Sequence, residues 1–154
     1  PFSATSHEWH RPPTALHIAR SHQNLKASHA WAEQRRQMAY EYHLRLGKCS
    51  LLLSLPVVEA AAGSHFSIRV PATLRDTLRS RLWDDGIDAA TLFPFPHDWC
   101  EAETFPMAVS AAAEVLNLPL SNQLQQRDVV RICDVVKRTV AELDAKSIAQ
   151  KAAA

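Results

Sequence analysis

The sequence predicts an α+β fold in which a small antiparallel sheet is packed with helices. Apolar residues recur at helical spacing near both ends of the chain, and the alternation typical of strands is confined to the middle. This order is the one expected when helices pack on a small sheet. A chain of 154 residues has the length of one domain with a sizeable core.

The composition argues against several kinds of partner. A net charge of +1 gives no electrostatic basis for binding nucleic acid or an anionic membrane. No apolar run has the length of a membrane span, and no signal peptide is evident. Cys49, Cys100 and Cys133 lack a Cys-x-x-Cys pair, so we interpret them as reduced thiols of a cytoplasmic protein. Only three glycines are present, and no phosphate-binding loop motif occurs.

Residues 1–23 are predicted to be a polar loop followed by a short helix over residues 14–22. Within the loop, His7 and His10 have the His-x-x-His spacing of a zinc pair. Two imidazoles supply only half of a tetrahedral site, and no carboxylate or thiolate lies at a matching offset. We therefore predict no metal site here.

A longer helix is predicted from about Asn24 to Leu46, ending at Gly47 as a natural C-cap. Its apolar line advances in steps of three and four residues, with Ser28 and Arg35 as polar breaks. Arg35 and Arg36 are interpreted as a solvated pair. The line comprises Leu25, Ala32, Ala39, Tyr42 and Leu46.

Two strands are predicted in the middle of the chain. The run Leu51–Val58 is apolar but broken by Pro56, which favours an edge strand. The segment His65–Val70 alternates strictly and predicts a half-buried strand. Its apolar face would carry Phe66, Ile68 and Val70, and its polar face His65, Ser67 and Arg69.

The next helix is predicted over Ala72–Trp83, with Leu74, Leu78 and Leu82 on one side. Asp84 and Asp85 lie at its C-terminus, where negative charge is unfavourable, so burial is expected to hold this end. Gly86 can stop the helix in a left-handed conformation, and a short strand can begin at Ile87.

The segment Phe93–His97 reads FPFPH and is predicted to be a stiff extended strap. Each of its prolines fixes its own φ and restricts the residue before it. Phe105-Pro106 is a helix start, and an alanine-rich helix is predicted over Met107–Leu116. The apolar segment Asn117–Leu120, broken by Pro119, then leaves that helix.

The last helix is predicted from about Gln126 to Leu143 and completes a domain over residues 24–145. Gln125 is a poor N-cap, although Asp128 suits the first turn. Residues 146–154 are expected to fray. The apolar stripe of this helix comprises Val129, Ile132, Cys133, Val136, Val140 and Leu143.

This order of motifs resembles the C-terminal small domain of the DegT/StrS family of aminotransferases, which depend on pyridoxal 5'-phosphate (PLP). The resemblance rests on Gly86-Ile87, the FPFPH strap, the small helix that follows and the Leu118–Leu120 segment. It extends to the helix over residues 24–46, matched at Asn24-Leu25, Arg35-Arg36, Ala39, Tyr42 and Leu46. The fold that it implies, that of the C-terminal domain of fold-type I aminotransferases, is the α+β fold predicted from periodicity.

The resemblance implies the C-terminal part of a longer, homodimeric enzyme that transfers an amino group to a nucleotide-linked keto-sugar. Polysaccharide or antibiotic sugar biosynthesis is the usual setting, and glutamate is the usual amino-acid donor. PLP would be bound mainly by a large N-terminal domain, which also holds the Schiff-base lysine and lies outside these residues. A chain that starts at Pro1 rather than Met fits a processed product or a fragment. No lysine of this chain is expected to be buried, so the chain alone is expected to be inactive.

The resemblance also implies which residues reach the site. His65 matches the family's histidine ahead of the apolar strand, and Phe95 and His97 match its strap, so these three are expected to contact the substrate. The strap lacks the usual leucine before its histidine. His10 and Arg11 match an Asn-x-Arg stretch that reaches the partner subunit's cofactor phosphate, although the Asn is replaced by Trp9. Alternatively, the two histidines are an ordinary sheet-surface residue and an ordinary loop residue.

Two other functions fit the same sequence. A PLP-dependent sugar dehydratase of this family has a histidine in place of the lysine, and only the missing domain separates it from an aminotransferase. A non-catalytic interaction module with this fold is also consistent with the lack of catalytic groups. His65 and the proline strap favour an enzyme over such a module.

Overall fold

Four helices and three short strands follow one another along the part of the chain that the structure, a computed structural model, describes: residues 12–49, 52–54, 63–92 and 103–152. The predicted α+β class is confirmed. The elements are α1 (Ala15–Leu46), β1 (Leu53–Ser54), β2 (His65–Arg69), α2 (Ala72–Asp84), α3 (Pro106–Glu114), β3 (Val115–Pro119) and α4 (Gln126–Ala152).

The strands form one antiparallel sheet in the order β1-β2-β3. β1 lies at an edge, as predicted, but only Leu53–Ser54 of the predicted run Leu51–Val58 is described as strand. On the far side of β3, Ala90 forms an isolated antiparallel bridge with Asn117. A short strand was predicted to begin at Ile87, and the bridge at Ala90 lies three residues after that predicted start.

The core lies on one face of the sheet. Phe66 and Ile68 of β2 pair in register with Leu118 and Leu116 of β3, and all four are buried, as the alternation in β2 predicts. α4 packs against both α1 and α2. The predicted stripe of α4 is confirmed, since Val129, Ile132, Cys133, Val136 and Val140 are buried and Leu143 packs against them.

The helices predicted over residues 14–22 and 24–46 are one continuous helix, α1. No glycine or proline separates them, so nothing interrupts the backbone hydrogen bonds. Thr14 caps its start: its hydroxyl accepts from the His17 N–H at 3.3 Å, and His17 Nδ1 accepts from the Thr14 N–H at 3.4 Å. The domain boundary predicted after residue 23 therefore falls inside α1.

Strand β3 replaces the end of a predicted helix. Val115 and Leu116 were predicted to be helical and Asn117–Leu120 to leave the helix, whereas Val115–Pro119 pairs with β2 along its whole length. The three central residues of β3 are all buried. Its apolar–polar alternation covers only Leu116, Asn117 and Leu118, which is too short to distinguish a strand from the apolar end of a helix.

The end of α2 is fixed by the backbone hydrogen bonds of a capping motif as well as by charge. Gly86 adopts the predicted left-handed conformation, with φ at 73°. The Ile87 N–H donates to the Leu82 carbonyl and the Gly86 N–H to the Trp83 carbonyl, both at 2.8 Å, which completes a Schellman motif. Ile87 and Leu82 are both buried.

Two arginines of α4 reach this same helix end. Arg131 donates to the Asp85 carbonyl oxygen at 2.5 Å, and Arg138 donates to the Asp85 carboxylate at 2.9 Å. They bring positive charge to the negative end of the α2 dipole and neutralise the acidic residue there. The prediction that burial alone holds this end was therefore wrong.

α4 begins at Gln126, as predicted, but its helical backbone ends later than predicted. The Asp128 carboxylate accepts from the Gln125 N–H at 2.8 Å, which compensates for the poor capping side chain of Gln125. At the other end, helical backbone continues to Ala152, whereas the sequence predicts fraying beyond Lys146.

Candidate functional site

His65 is the first residue of β2 and lies on the sheet face opposite the core. Its side chain is exposed, as the strand alternation predicts, whereas its neighbour Phe66 is buried. The hydroxyl oxygen of Ser64 lies 3.0 Å from His65 Nδ1. This contact leaves Nε2 as the nitrogen that can meet a ligand from outside the sheet.

The other predicted site residues lie outside the described residues. These are His10 and Arg11 near the N-terminus, and Phe95 and His97 in the proline strap. The described structure therefore places only His65 of the predicted set.

The middle of this polar face is organised by a buried amide that sequence analysis did not single out. Asn117 of β3 is 6% exposed. Its carbonyl oxygen accepts from the Ser67 hydroxyl at 2.6 Å, and its amide nitrogen donates to the Ala90 carbonyl at 3.2 Å. The side chain thus joins β2, β3 and the Ala90 segment, and its polar atoms are paired within the protein.

The far end of the same face is closed by α3. The Arg69 guanidinium binds the Glu114 carboxylate, with Nε to Oε2 at 3.0 Å. The Ser110 hydroxyl donates to the other carboxylate oxygen at 2.9 Å. The hydrogen bond from Arg69, followed by that from Ser110, lowers the pKa of Glu114 below its usual value. α3 thus lies at the Arg69 end of the face, whereas His65 at the other end is exposed.

No described side chain supplies a covalent anchor for PLP. Lys26, Lys48, Lys137 and Lys146 are all exposed, and a Schiff-base lysine must be desolvated to be reactive at neutral pH. The described residues therefore do not form a complete site for PLP.

The described residues also contain no cluster of three or more histidine, cysteine, aspartate or glutamate side chains that could hold a metal ion. Nor does any described helix combine the length and apolar character needed to cross a membrane.

Two open grooves lie away from His65. One, of about 570 Å³, runs between α2 and the Ala90 segment and is lined by Asp76, Arg79 and Trp83, among others. The second, of about 550 Å³, is lined by residues of α4 and Asp85. His65 lines neither of these two grooves.

Comparison with known proteins gives one family. The model of the DegT/DnrJ/EryC1/StrS aminotransferase family matches residues 14–137. A UDP-N-acetyl-3-dehydro-alpha-D-glucosamine 3-aminotransferase from Acidithiobacillus ferrooxidans is 35% identical over 99 residues, which cover 57% of this chain and 26% of that protein.

Solved structures agree with this match. The aminotransferase TlmJ from Streptoalloteichus hindustanus superposes with a TM-score of 0.71 at 25% identity, over 78% of this chain and 34% of its own. DesV from S. venezuelae superposes with a TM-score of 0.68 at 26% identity, over 90% of this chain and 40% of its own. The chain therefore spans between about a quarter and two-fifths of the length of these relatives. Since the family model matches most of its length, the chain belongs to the DegT/DnrJ/EryC1/StrS aminotransferase family.

Proposed function

We propose that this chain is the small domain of a PLP-dependent aminotransferase that transfers an amino group from an amino-acid donor to a nucleotide-linked keto-sugar. The observation that carries the proposal is the family match over residues 14–137. The substrate class is supported by the curated relative, which is named as an aminotransferase of a UDP-linked sugar. In this proposal residues 24–145 form the domain, and residues 1–23 lead in from a larger one.

The larger domain would hold PLP, which when bound supplies the electron sink for amino transfer. The described side chains support this division, since Lys26, Lys48, Lys137 and Lys146 are all exposed. This chain would contribute the substrate-facing wall through His65, Phe95 and His97. His10 and Arg11 would reach the cofactor phosphate of the partner subunit in a homodimer.

The polar face of the sheet suits such a wall. Its backbone is fixed by the core on the other side, and Asn117 is held by two hydrogen bonds, so His65 stands on a rigid strand. The free thiols Cys49 and Cys133 support a cytoplasmic location.

Reduction of the full-length enzyme with borohydride tests this division of labour. The PLP–lysine adduct is expected in a peptide outside residues 1–154, because the lysines with described side chains are exposed. Peptide mapping by mass spectrometry locates it. A stoichiometric adduct on Lys26, Lys48, Lys137, Lys146 or Lys151 would contradict the proposal, and the absence of any adduct would favour the dehydratase or the interaction module.

His65→Ala in the full-length enzyme is expected to lower kcat/KM for the keto-sugar by about two- to tenfold, the effect of losing one hydrogen bond of ordinary strength. The free energy of unfolding should change by less than about 0.5 kcal/mol, because the side chain is exposed. His97→Ala is expected to have the same effect.

Thr77→Ala is the control, since Thr77 is an exposed residue of α2 that lies neither on the sheet nor on α1. Steady-state kinetics and denaturant unfolding separate the two kinds of effect. Unchanged kcat/KM in both His65→Ala and His97→Ala would remove these residues from the site.

A further inference from the structure

A line of apolar residues runs along α1 and is buried at one end only. Ile18, Leu25, Ala32, Ala39 and Leu46 are spaced seven residues apart. Seven residues are nearly two helical turns, so the five side chains lie on one slowly drifting face. Leu46 is completely buried and Ala39 packs against the core, but Leu25 is 72% and Ile18 58% exposed. The same face that holds α1 on the domain is therefore bare in its N-terminal half.

This bare half receives little support from the rest of the described chain. Every residue from Pro12 to Ala30 except Ala27 is exposed. The segment contains His, Ser and Asn residues, which have poor helix propensity, and an isolated helix of this length is marginal in water. The Thr14 cap orders only its first turn. A helix with this composition needs a surface to pack against.

Arg35 lies just after the exposed half of α1, where the helix begins to be partly buried. Its Nε is buried and has no acceptor in the part of the chain that the structure describes. Leaving a buried donor of a charged group unpaired is costly. The side chain of Gln34 beside it donates to the Leu124 carbonyl at 3.1 Å, so the described residues provide an acceptor for Gln34 but none for Arg35 Nε. An acceptor from elsewhere would complete the site.

We propose that the N-terminal half of α1 is the docking surface for the remainder of the same polypeptide, the larger domain of the enzyme. That domain would present an apolar groove to Ile18 and Leu25 and a carboxylate or carbonyl oxygen to Arg35. The inference rests on the proposed function. It is supported by the relatives, which are about two and a half to four times as long as the part they share with this chain, and by a family match that begins at the residue that caps α1.

Hydrogen–deuterium exchange on the full-length enzyme tests the docking surface, with Leu25→Asp as the variant and Leu16→Asp as its matched control. Leu16 is 73% exposed in the same half of α1, but it lies nine residues and half a turn away from Leu25. In the unmodified enzyme the amides of residues 15–30 should be protected. Leu25→Asp should speed their exchange by about tenfold or more, and Leu16→Asp should not.

Arg35→Met gives a second readout. If an acceptor pairs with Arg35, this variant leaves that acceptor unpaired and exchange over residues 15–30 rises. If no acceptor is present, removal of an unpaired donor leaves exchange unchanged or slows it, which would contradict that part of the proposal.

Three outcomes would overturn the docking surface itself: unprotected amides over residues 15–30 in the unmodified enzyme, equal effects of the two Asp variants, or a halving of the mass by light scattering in Leu25→Asp. The last would assign the surface to a second copy. Exchange is measured without turnover, so an inactive enzyme with protected residues 15–30 would refute the proposed function and leave the docking surface standing.

Discussion

Replacing Tyr42 with alanine is expected to lower the free energy of unfolding by about 3–5 kcal/mol, the range for removing a large buried aromatic side chain. The Tyr42 side chain is completely buried. Its ring stacks on Phe66 with 4.9 Å between centroids, and its hydroxyl donates to the Pro119 carbonyl at 3.0 Å. This one residue of α1 therefore contacts both β2 and β3.

Tyr40 provides the control for Tyr42 because it has the same side chain on the same helix but is 57% exposed. Tyr40→Ala should cost less than about 0.5 kcal/mol. Tyr42→Phe keeps the ring and removes the hydroxyl, so it should cost about 1 kcal/mol, the usual net value of one hydrogen bond. If denaturant unfolding gave equal losses of unfolding free energy for Tyr40→Ala and Tyr42→Ala, the side of α1 that carries Tyr42 would not be the side that faces the core.

The buried phenol of Tyr42 also makes the free energy of unfolding depend on pH in the alkaline range. Burial raises the pKa of its phenol above the usual value of 10.0, so the folded state favours the neutral form. That contribution is fully present below about pH 10, the pKa in the unfolded chain, and is lost as the pH rises further. Burial raises the pKa of the Cys133 thiol to about 11, which acts in the same direction. The decline in stability above pH 10 should therefore be shallower in Tyr42→Phe, although Cys133 keeps its share.

Elements with a strong local period were predictable from the sequence. In β2 each side chain alternates between core and polar face, so both the strand and the exposure of His65 follow from residue order alone. In α2 the leucine spacing and Gly86 mark the buried side and the end of the helix. These elements were predictable because the choice of buried residues within one strand or helix depends on their local spacing along the chain.

Features that depend on long-range pairing were not predictable. The alternation in β3 is too short to identify a strand, and only its register with β2 distinguishes it from the end of α3. The role of Asn117 requires Ser67 and Ala90 to be its neighbours, which are 50 and 27 residues away in sequence. Likewise, the acidic end of α2 looks unfavourable until Arg138, 53 residues later, is placed beside Asp85. The spacing of residues along the sequence indicates none of these long-range contacts.

Leu78→Ala is expected to cost about 2–5 kcal/mol, because the substitution removes a buried side chain and leaves a cavity that the neighbours fill only in part. Leu78 lies in the middle of α2 and is completely buried, as is Leu82 one turn later. α2 packs on α4, α3 and β3, so a cavity there weakens several contacts of one helix. Chemical denaturation gives the loss directly.

Trp83→Ala removes a larger side chain from the same helix, but Trp83 is 67% exposed and its loss should cost no more than about 0.5 kcal/mol. Leu78→Met keeps most of the volume, so it should cost less than about 1.5 kcal/mol. The order Leu78→Ala, then Leu78→Met, then Trp83→Ala is the one expected if burial, rather than the size of the deleted side chain, determines the effect. A loss for Leu78→Ala below about 0.5 kcal/mol would instead place Leu78 on the solvent side and require α2 to be rotated about its axis.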